Sequence, residues 1–314
     1  MVSRIKKNQL ISNFRVIETL PEANGGMAYI VKAQNIKSSD IVALKISKSS
    51  AFNDFNINAL KAEVRILQIL SHPGIVRIYP IQSEIGKKVY MERAVELNGS
   101  PWFFIMEFLD GGSVADLIKK NKTLSEEETG TIIYRVVDTL EYIHNSGYAH
   151  NDIKASNILF RTSMDANHPI QPVLIDFGIT SRKERVQKDA GSLFYMAPEQ
   201  LQEMRQQWPP EMRIDYSKVD TYAIGVLLYR MLAGKLPLSG KSETGVTTAI
   251  LTKTPSSPQS LNPKISNHMN DLIMACLAKR PEARPTDNQI KSVLKQYADY
   301  IPSSDRPRGL FTRN

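Results

Sequence analysis

Hydrophobic and polar positions change rhythm about a third of the way along the chain. In the first part the apolar residues tend to alternate. Residues 14–20 (FRVIETL), 28–35 (AYIVKAQN) and 40–47 (DIVALKIS) are rich in β-branched side chains at alternating positions, the period of a strand with one face buried. The turns between them, PEANGG and IKSSD, are polar or contain glycine. The rhythm becomes helical over 56–72, where Leu60, Val64 and Leu67 share one face and His72-Pro73-Gly74 ends the element. Strands over 75–84 (IVRIYPIQSE) and 102–109 (WFFIMEFL) follow, and the polar stretch between them has room for another.

Beyond this point LDGGS reads as a linker of glycine and small residues, and helical periodicity takes over. Residues 125–147 open on Ser125 as an N-cap with acids in the first turn, where the helix dipole favours them. Further helices are predicted over 220–234, 266–279 and 286–300, with a Pro/Ser-rich loop over 253–264. No internal repeat is visible. A strand-rich part and a helical part meeting at Gly111-Gly112 predict a ligand cleft between them.

Composition narrows the class. The 314 residues are 42% hydrophobic and 23% charged, the balance of an ordinary globular protein long enough for two lobes. The net charge of +8 comes without any block of five or more like charges and without a nucleic-acid motif. It reads first as a solvated basic surface and second as a preference for acidic partners or anionic surfaces, not as a specific nucleic-acid reader. No apolar run approaches the ~18–20 residues that cross a bilayer, and MVSRIKKNQLISNF lacks the apolar core of a secretory leader. The single cysteine, Cys276 in LIMACLAKR, excludes an internal disulfide and reads as core packing. The expected compartment is reducing and cytoplasmic.

Chemistry enters at four places in order. In VALK, Lys45 occupies an apolar strand position, costly unless an anion meets it. Glu63, on the inward side of the next helix, is the carboxylate placed to hold it. HNDIKASN gathers His150, Asp152, Lys154 and Asn157 ahead of the apolar ILF, and VLIDFGIT delivers Asp176 two residues before Gly178. Asn157 and Asp176 offer hard oxygen ligands that can share Mg²⁺ with phosphate oxygens. Lys45 can hold phosphates as a point charge, which leaves Asp152 to accept a proton from an attacking hydroxyl.

In this order the motifs resemble those of a eukaryotic-type (Hanks-type) serine/threonine protein kinase over residues 14–298. VALK matches the lysine strand, Glu63 the helix glutamate, HNDIKASN the catalytic loop, Asp176–Gly178 the DFG motif and Ala197–Glu199 the APE motif. Arg284 fits the arginine that pairs with Glu199, and Asp220 the aspartate that braces the catalytic loop. The resemblance implies an α+β, bilobal protein-kinase fold: an extension over 1–13, a β-rich N-lobe with one main helix and the hinge over 14–109, a helical C-lobe over 110–300 and a basic tail over 301–314. It implies ATP as cofactor with Mg²⁺, for which Mn²⁺ can substitute, and a protein substrate carrying Ser or Thr. Asp152 and Lys154 are then catalytic, and Asn157 and Asp176 hold metal. The nucleotide falls to Ala23, Gly25, Ala28, Ile30, Ala43, Lys45, Glu63, Met106, Glu107, Leu109 and Leu159. Among these Met106 is the gatekeeper, Glu107–Leu109 the hinge, and Ala43 and Leu159 the two sides of the adenine slot. Lys154 two residues after Asp152, and Ser192 in GSLFYMAPE, are the serine/threonine pattern, while NGGM resembles the bacterial branch.

Two departures stand out. The glycine-rich loop reads ANGGMAYI, with Gly25 at the middle position and Ala23 and Ala28 at the outer ones, which keeps the closest phosphate approach but reduces backbone freedom. Asn151 stands where most family members have an arginine that pairs with a phosphate on the activation segment. That predicts an enzyme whose activity does not depend on such a phosphate, even if Thr180, Ser181 or Ser192 is modified. Arg182, Lys183, Arg185 and Lys188 are the nearby cations that could oppose this reading by pairing with phosphate themselves. The altered loop also admits an ATP-binding pseudokinase. A small-molecule phosphotransferase fits less well, because Lys154, Gly178 and the APE segment are all present.

Overall fold

The computed structural model describes residues 5–20, 28–48, 55–82, 87–162, 169–177, 192–209 and 211–300. They divide into two units. The first holds the chain up to Ser71, Ile75–Leu109 and Phe177; the second holds His72–Gly74, Asp110–Asp176 and the chain from Ser192 onward.

The first unit is built on an antiparallel sheet. Its strands in chain order are β1 (Leu10–Ile11), β2 (Phe14–Thr19), β3 (Ala28–Asn35), β4 (Ile41–Ser47), β5 (Ile78–Tyr79), β6 (Ile81–Gln82), β7 (Lys88–Val89), β8 (Glu92–Arg93) and β9 (Trp102–Glu107), and helix α1 (Phe55–Ile69) follows β4. The seven-stranded sheet runs β1-β2-β3-β4-β9-β5, with β8 also on β9, and β6 pairs β7 apart from it. Alternation sorts the side chains. Val31, Leu44, Ile46, Phe103 and Ile105 join Ile11, Phe14 and Val16 in one buried cluster. The register puts Ile30 opposite Lys45, Lys45 opposite Phe104, and Ala43 opposite Met106, so these residues share the other face. On α1, Leu60, Val64 and Leu67 are buried, as the periodicity predicts.

The described part of the expected strand over 75–84, residues 75–82, does not form a single strand. Pro80 supplies no N–H to a ladder, and the segment splits there: Ile78–Tyr79 pairs β9 and Ile81–Gln82 pairs β7. A further strand absent from the sequence reading, Leu10–Ile11, pairs β2.

The second unit is helical: α2 (Val114–Asn121), α3 (Glu126–Asn145), α4 (Pro198–Met204), α5 (Tyr216–Ala233), α6 (Glu243–Thr252), α7 (Asn267–Cys276) and α8 (Asp287–Leu294), with a short ladder of β10 (Ile158–Phe160) and β11 (Pro172–Leu174). Ser125 caps α3 in a reciprocal box with Glu128, and Glu126, Glu127 and Glu128 fill the first turn. Helix α5 is buried along nearly all its length and ends at Gly234 in the left-handed conformation, the mark of a central helix packed on every side. Cys276 is buried at its core, and burial pushes its thiol up to about 12. No helix among the described residues is long and apolar enough to cross a membrane.

Three helices of this unit are tied together by one histidine. His144, in the last turn of α3, has Nδ1 2.6 Å from Asp287 Oδ2 and Nε2 3.0 Å from Asp220 Oδ2. Burial alone would push its pKa down, but the hydrogen bonds to Asp220 and Asp287 outweigh that and hold it up at about 10. Elsewhere on α3, Gly130 lets the ring of Tyr297 approach so closely that an added Cβ would sit 2.3 Å from its Cδ2. Tyr297 is also bonded through its carbonyl to Thr131, at 2.6 Å, and through its hydroxyl to Glu126.

Two outcomes are expected. Gly130→Ala forces this contact apart and costs about 1–3 kcal/mol in urea unfolding, and the loss shrinks when Tyr297→Leu is added. Because the folded-state pKa of His144 lies above its unfolded value of about 6.5, its contribution to stability is full below that pH and is lost as pH rises through about 10. The stability difference between wild type and His144→Gln, measured from pH 6 to 10, should therefore narrow steadily as pH rises.

Candidate functional site

Lys45 lies in the middle of β4, flanked by Ile30 on β3 and Phe104 on β9. Its side chain is 11% exposed and its Nζ lies 2.7 Å from both carboxylate oxygens of Glu63 on α1. A mostly buried ammonium with a carboxylate of its own is the physical resolution of a lysine in an apolar strand. On the same face Met106 and Ala43 are buried. The chain leaves the sheet through Glu107, whose N–H donates to Arg77 O at 2.9 Å and whose Oε1 accepts the Arg77 N–H at 2.9 Å. None of the described backbone hydrogen bonds involves Leu109.

In the second unit, the loop from Ala149 to the turn Ala155–Asn157 carries the remaining groups. Asp152 is partly exposed, and donors surround its carboxylate: Lys154 Nζ at 3.2 Å, Asn157 Nδ2 at 2.9 Å and Ser192 Oγ at 3.3 Å. Lys154 Nζ also donates to Ser192 Oγ at 2.8 Å. Asn157 is buried and uses its Nδ2 a second time on Asp152 O, at 2.9 Å. Its amide oxygen accepts from Ser156 Oγ at 3.4 Å. The β10–β11 ladder, Ile158 opposite Leu174, continues with Ile175 N–H donating to Asn157 O at 3.0 Å. Asp176 thus follows directly after the residue that pairs with Asn157.

Backbone conformation around Asp152 is unusual. Asn151 has φ +63° and Asp176 φ +57°, a region that L-residues other than asparagine and aspartate enter reluctantly. Asn151 is held there by Asp220, whose Oδ1 accepts its N–H at 2.8 Å while Oδ2 accepts the N–H of His150 at 2.8 Å. His150 is fully buried. Burial lowers its pKa despite the nearby Asp220 and Asp152, so it stands neutral, with Nε2–H donated to Ile175 O at 3.0 Å and Nδ1 accepting the N–H of Asp152 at 3.3 Å. Asn151 therefore fits its backbone position while offering no charge.

Beyond the loop, Glu199 and Arg284 form a pair that is 1% and 0% exposed, with contacts of 2.6 and 2.8 Å. The remaining guanidinium N–H groups go to the carbonyls of Ala278, Lys218 and Lys279, so this buried pair is satisfied throughout.

Among the sequence-predicted residues, the first unit brings together Ala28, Ile30, Ala43, Lys45, Glu63 and Met106, with Glu107 and Leu109 at the sheet's exit. The second unit brings together Asp152, Lys154, Asn157 and Asp176, and carries Leu159 on β10. Ala23, Gly25, the NGGM stretch, Gly178, Thr180, Ser181, Arg182, Lys183, Arg185, Lys188 and the tail lie outside the described residues. One expectation is corrected. Ser192 is not an open site for phosphate, because it is 3% exposed and its hydroxyl is engaged by Lys154 and Asp152. His144 and Asp287 went unnoticed in the sequence. A cation in the last helical turn was a signal for the first, but nothing local connects residues 143 apart.

Among the described residues no cluster of three or more His, Cys, Asp or Glu could hold a metal by itself. The oxygens of Asn157 and Asp176 do fit a hard divalent cation that completes its shell from phosphate and water, the habit of Mg²⁺ rather than of a metal held in an all-protein cage.

A family model described as the protein kinase domain matches residues 23–297. The chain is 30% identical over 284 residues to the Schizosaccharomyces pombe serine/threonine-protein kinase ppk11, covering 89% of this chain and 80% of that protein. It is 30% identical over 235 residues to the maternal embryonic leucine zipper kinase of Danio rerio, and 29% identical over 266 residues to a Clostridium perfringens protein named as a probable serine/threonine-protein kinase. These two alignments cover 73% and 83% of this chain but only 30% and 35% of those proteins. Bacterial and eukaryotic relatives match to similar degrees, so the resemblance of NGGM to the bacterial branch does not separate them. With the lysine–glutamate pair of the first unit and the aspartate-centred loop of the second in place, the chain belongs to the protein kinase domain family.

Proposed function

We propose that the protein is an active serine/threonine protein kinase that transfers the γ-phosphoryl group of Mg-ATP to hydroxyls of protein substrates. The observation that carries this reading is the Asp152 carboxylate: partly exposed, and oriented by Lys154, Asn157 and Ser192 without being closed off. A carboxylate held in this way can align a substrate hydroxyl and take its proton, while the Lys154 ammonium, 3.2 Å away, offsets negative charge as the phosphoryl group moves.

The other roles follow from charge and position. Lys45, fixed by Glu63, holds the nucleotide phosphates; Asn157 and Asp176 would hold Mg²⁺, which when bound neutralises phosphate charge and orients the transferring group. Ala43, Ile30, Met106 and Leu159 give apolar surface to the adenine, and the backbone of Glu107 and Leu109 its polar contacts. The outer alanines Ala23 and Ala28 weaken nucleotide binding without abolishing it. The basic chain favours acidic protein partners, and the place of action is the cytoplasm.

Asn151 sets the regulation. It is neutral and short, its N–H is bound to Asp220, and it cannot grip a phosphate as an arginine fork does. Activity is therefore independent of phosphate on the activation segment.

Intact-mass measurement after incubation with Mg-ATP and basic or acidic acceptor proteins tests the activity. Wild type should phosphorylate an acceptor, and a folded Asp152→Ala should do so about 10²–10⁴-fold more slowly. Failure of transfer while ATP still raises the melting temperature would establish the pseudokinase instead. For regulation, the double substitution Thr180→Ala/Ser181→Ala should keep peptide turnover within about tenfold of wild type, and a larger fall would refute independence.

A further inference from the structure

The His144 centre reaches the catalytic loop from a direction that none of the roles above employs. Asp287 is the first residue of α8, but it does not cap that helix. Thr286 does, accepting the Gln289 N–H at 3.4 Å. The Asp287 carboxylate is thus available to His144, and lies where the helix dipole stabilises a negative charge. His144 lies in the last turn of α3, where the dipole stabilises a positive one. Both ring nitrogens face carboxylates, so both must donate, and an imidazole with a proton on each nitrogen is a cation.

From that cation the contacts run inward. Asp220, 1% exposed, shares Oδ2 between His144 Nε2 and the His150 N–H and gives Oδ1 to the Asn151 N–H. Those two amides immediately precede Asp152, and the second belongs to a residue at positive φ. The charged and titratable groups around the centre, among the described residues, come from several elements. Asp220 comes from α5 and Asp287 from α8; beyond Asp220 stands His150, kept neutral by burial, and the buried Cys276 feels Asp287 together with Arg284 and Lys218, the lysine bound to the carbonyls of Arg284 and Pro285. The imidazolium is the cation hydrogen-bonded to both carboxylates. Without one of them, the imidazole could shed a proton and leave Asp220 buried beside a neutral ring.

We propose that Asp287 is a positioning residue for phosphotransfer: by keeping His144 doubly protonated it fixes Asp220, and through Asp220 the amides of His150 and Asn151 that set Asp152. The proposal rests on the kinase reading for its effect on turnover, and on geometry alone for the state of His144.

The test combines turnover with a readout that needs none. Asp287→Asn should match wild-type kcat at pH 6 and fall about three- to tenfold below it by pH 9, with KM for ATP unchanged within about twofold, while Asp287→Glu restores the wild-type profile. In protein enriched with ¹⁵N-histidine and ¹⁵N-asparagine, wild-type His144 should keep both ring protons to pH 9. In Asp287→Asn the ring should titrate, and the backbone amides of His150 and Asn151 should move with the same midpoint. A wild-type His144 that is neutral at pH 7 overturns the proposal. So does an Asp287→Asn profile parallel to wild type at every pH, whether or not its level drops. Should that variant not fold, the wild-type ring titration and Asp287→Glu decide the matter. Absence of turnover in wild type would sink the kinase reading, while the His144 and amide titrations would still decide whether the chain of contacts exists.

Discussion

The buried carboxylate of Asp220 is the constraint around which the second unit is organised. An anion removed from water must be met by donors on both oxygens, or folding would leave it with several kcal/mol of uncompensated desolvation. Here the donors come from His144 and from two consecutive amides of the catalytic loop. The need to satisfy one anion therefore dictates the path of the backbone that presents Asp152, and holds Asn151 in a conformation it would adopt rarely by itself. Lys45 and Glu63 solve the mirror problem in the first unit, with a cation as the group that must be met.

Much of this was legible in the sequence because charged residues in apolar surroundings are conspicuous. Lys45 inside VALK, Asp176 at the end of VLI, and the polar cluster ahead of ILF each break an otherwise hydrophobic run, and the structure engages each in hydrogen bonds or places it beside a residue that is so engaged. The long elements were equally plain. Helix α1 shows its face through Leu60, Val64 and Leu67, and α3 announces its start with Ser125 and three acids.

What escaped was short or long-range. Strand β1 has two residues, too few for an alternation to register. Helix α6 reads ETGVTTAILT, whose glycine and β-branched residues argue against a helix, yet Ser242 caps it and Val246, Ala249 and Ile250 bury its face; packing overrode propensity. Helix α2 carried a usable signal in Ser113 and Asp116, a capping box that closes on itself. The partners of His144 could not be read at all, because nothing in the local pattern of α3 says that an aspartate 143 residues later will lie against it.

The Glu199–Arg284 pair has a consequence for how the chain comes into being. Its partners are separated by 85 residues and both are closed to solvent. During synthesis at about 5–20 residues per second, Glu199 leaves the ribosome roughly 4–17 s before Arg284 does. In that interval its carboxylate lacks the Arg284 partner that it has in the folded chain, and burying it unpaired would carry a desolvation cost. This pair, the most sequestered one among the described residues of the second unit, cannot close until Arg284 has emerged, so it joins early and late parts of the chain only after most of the helices between them have been made.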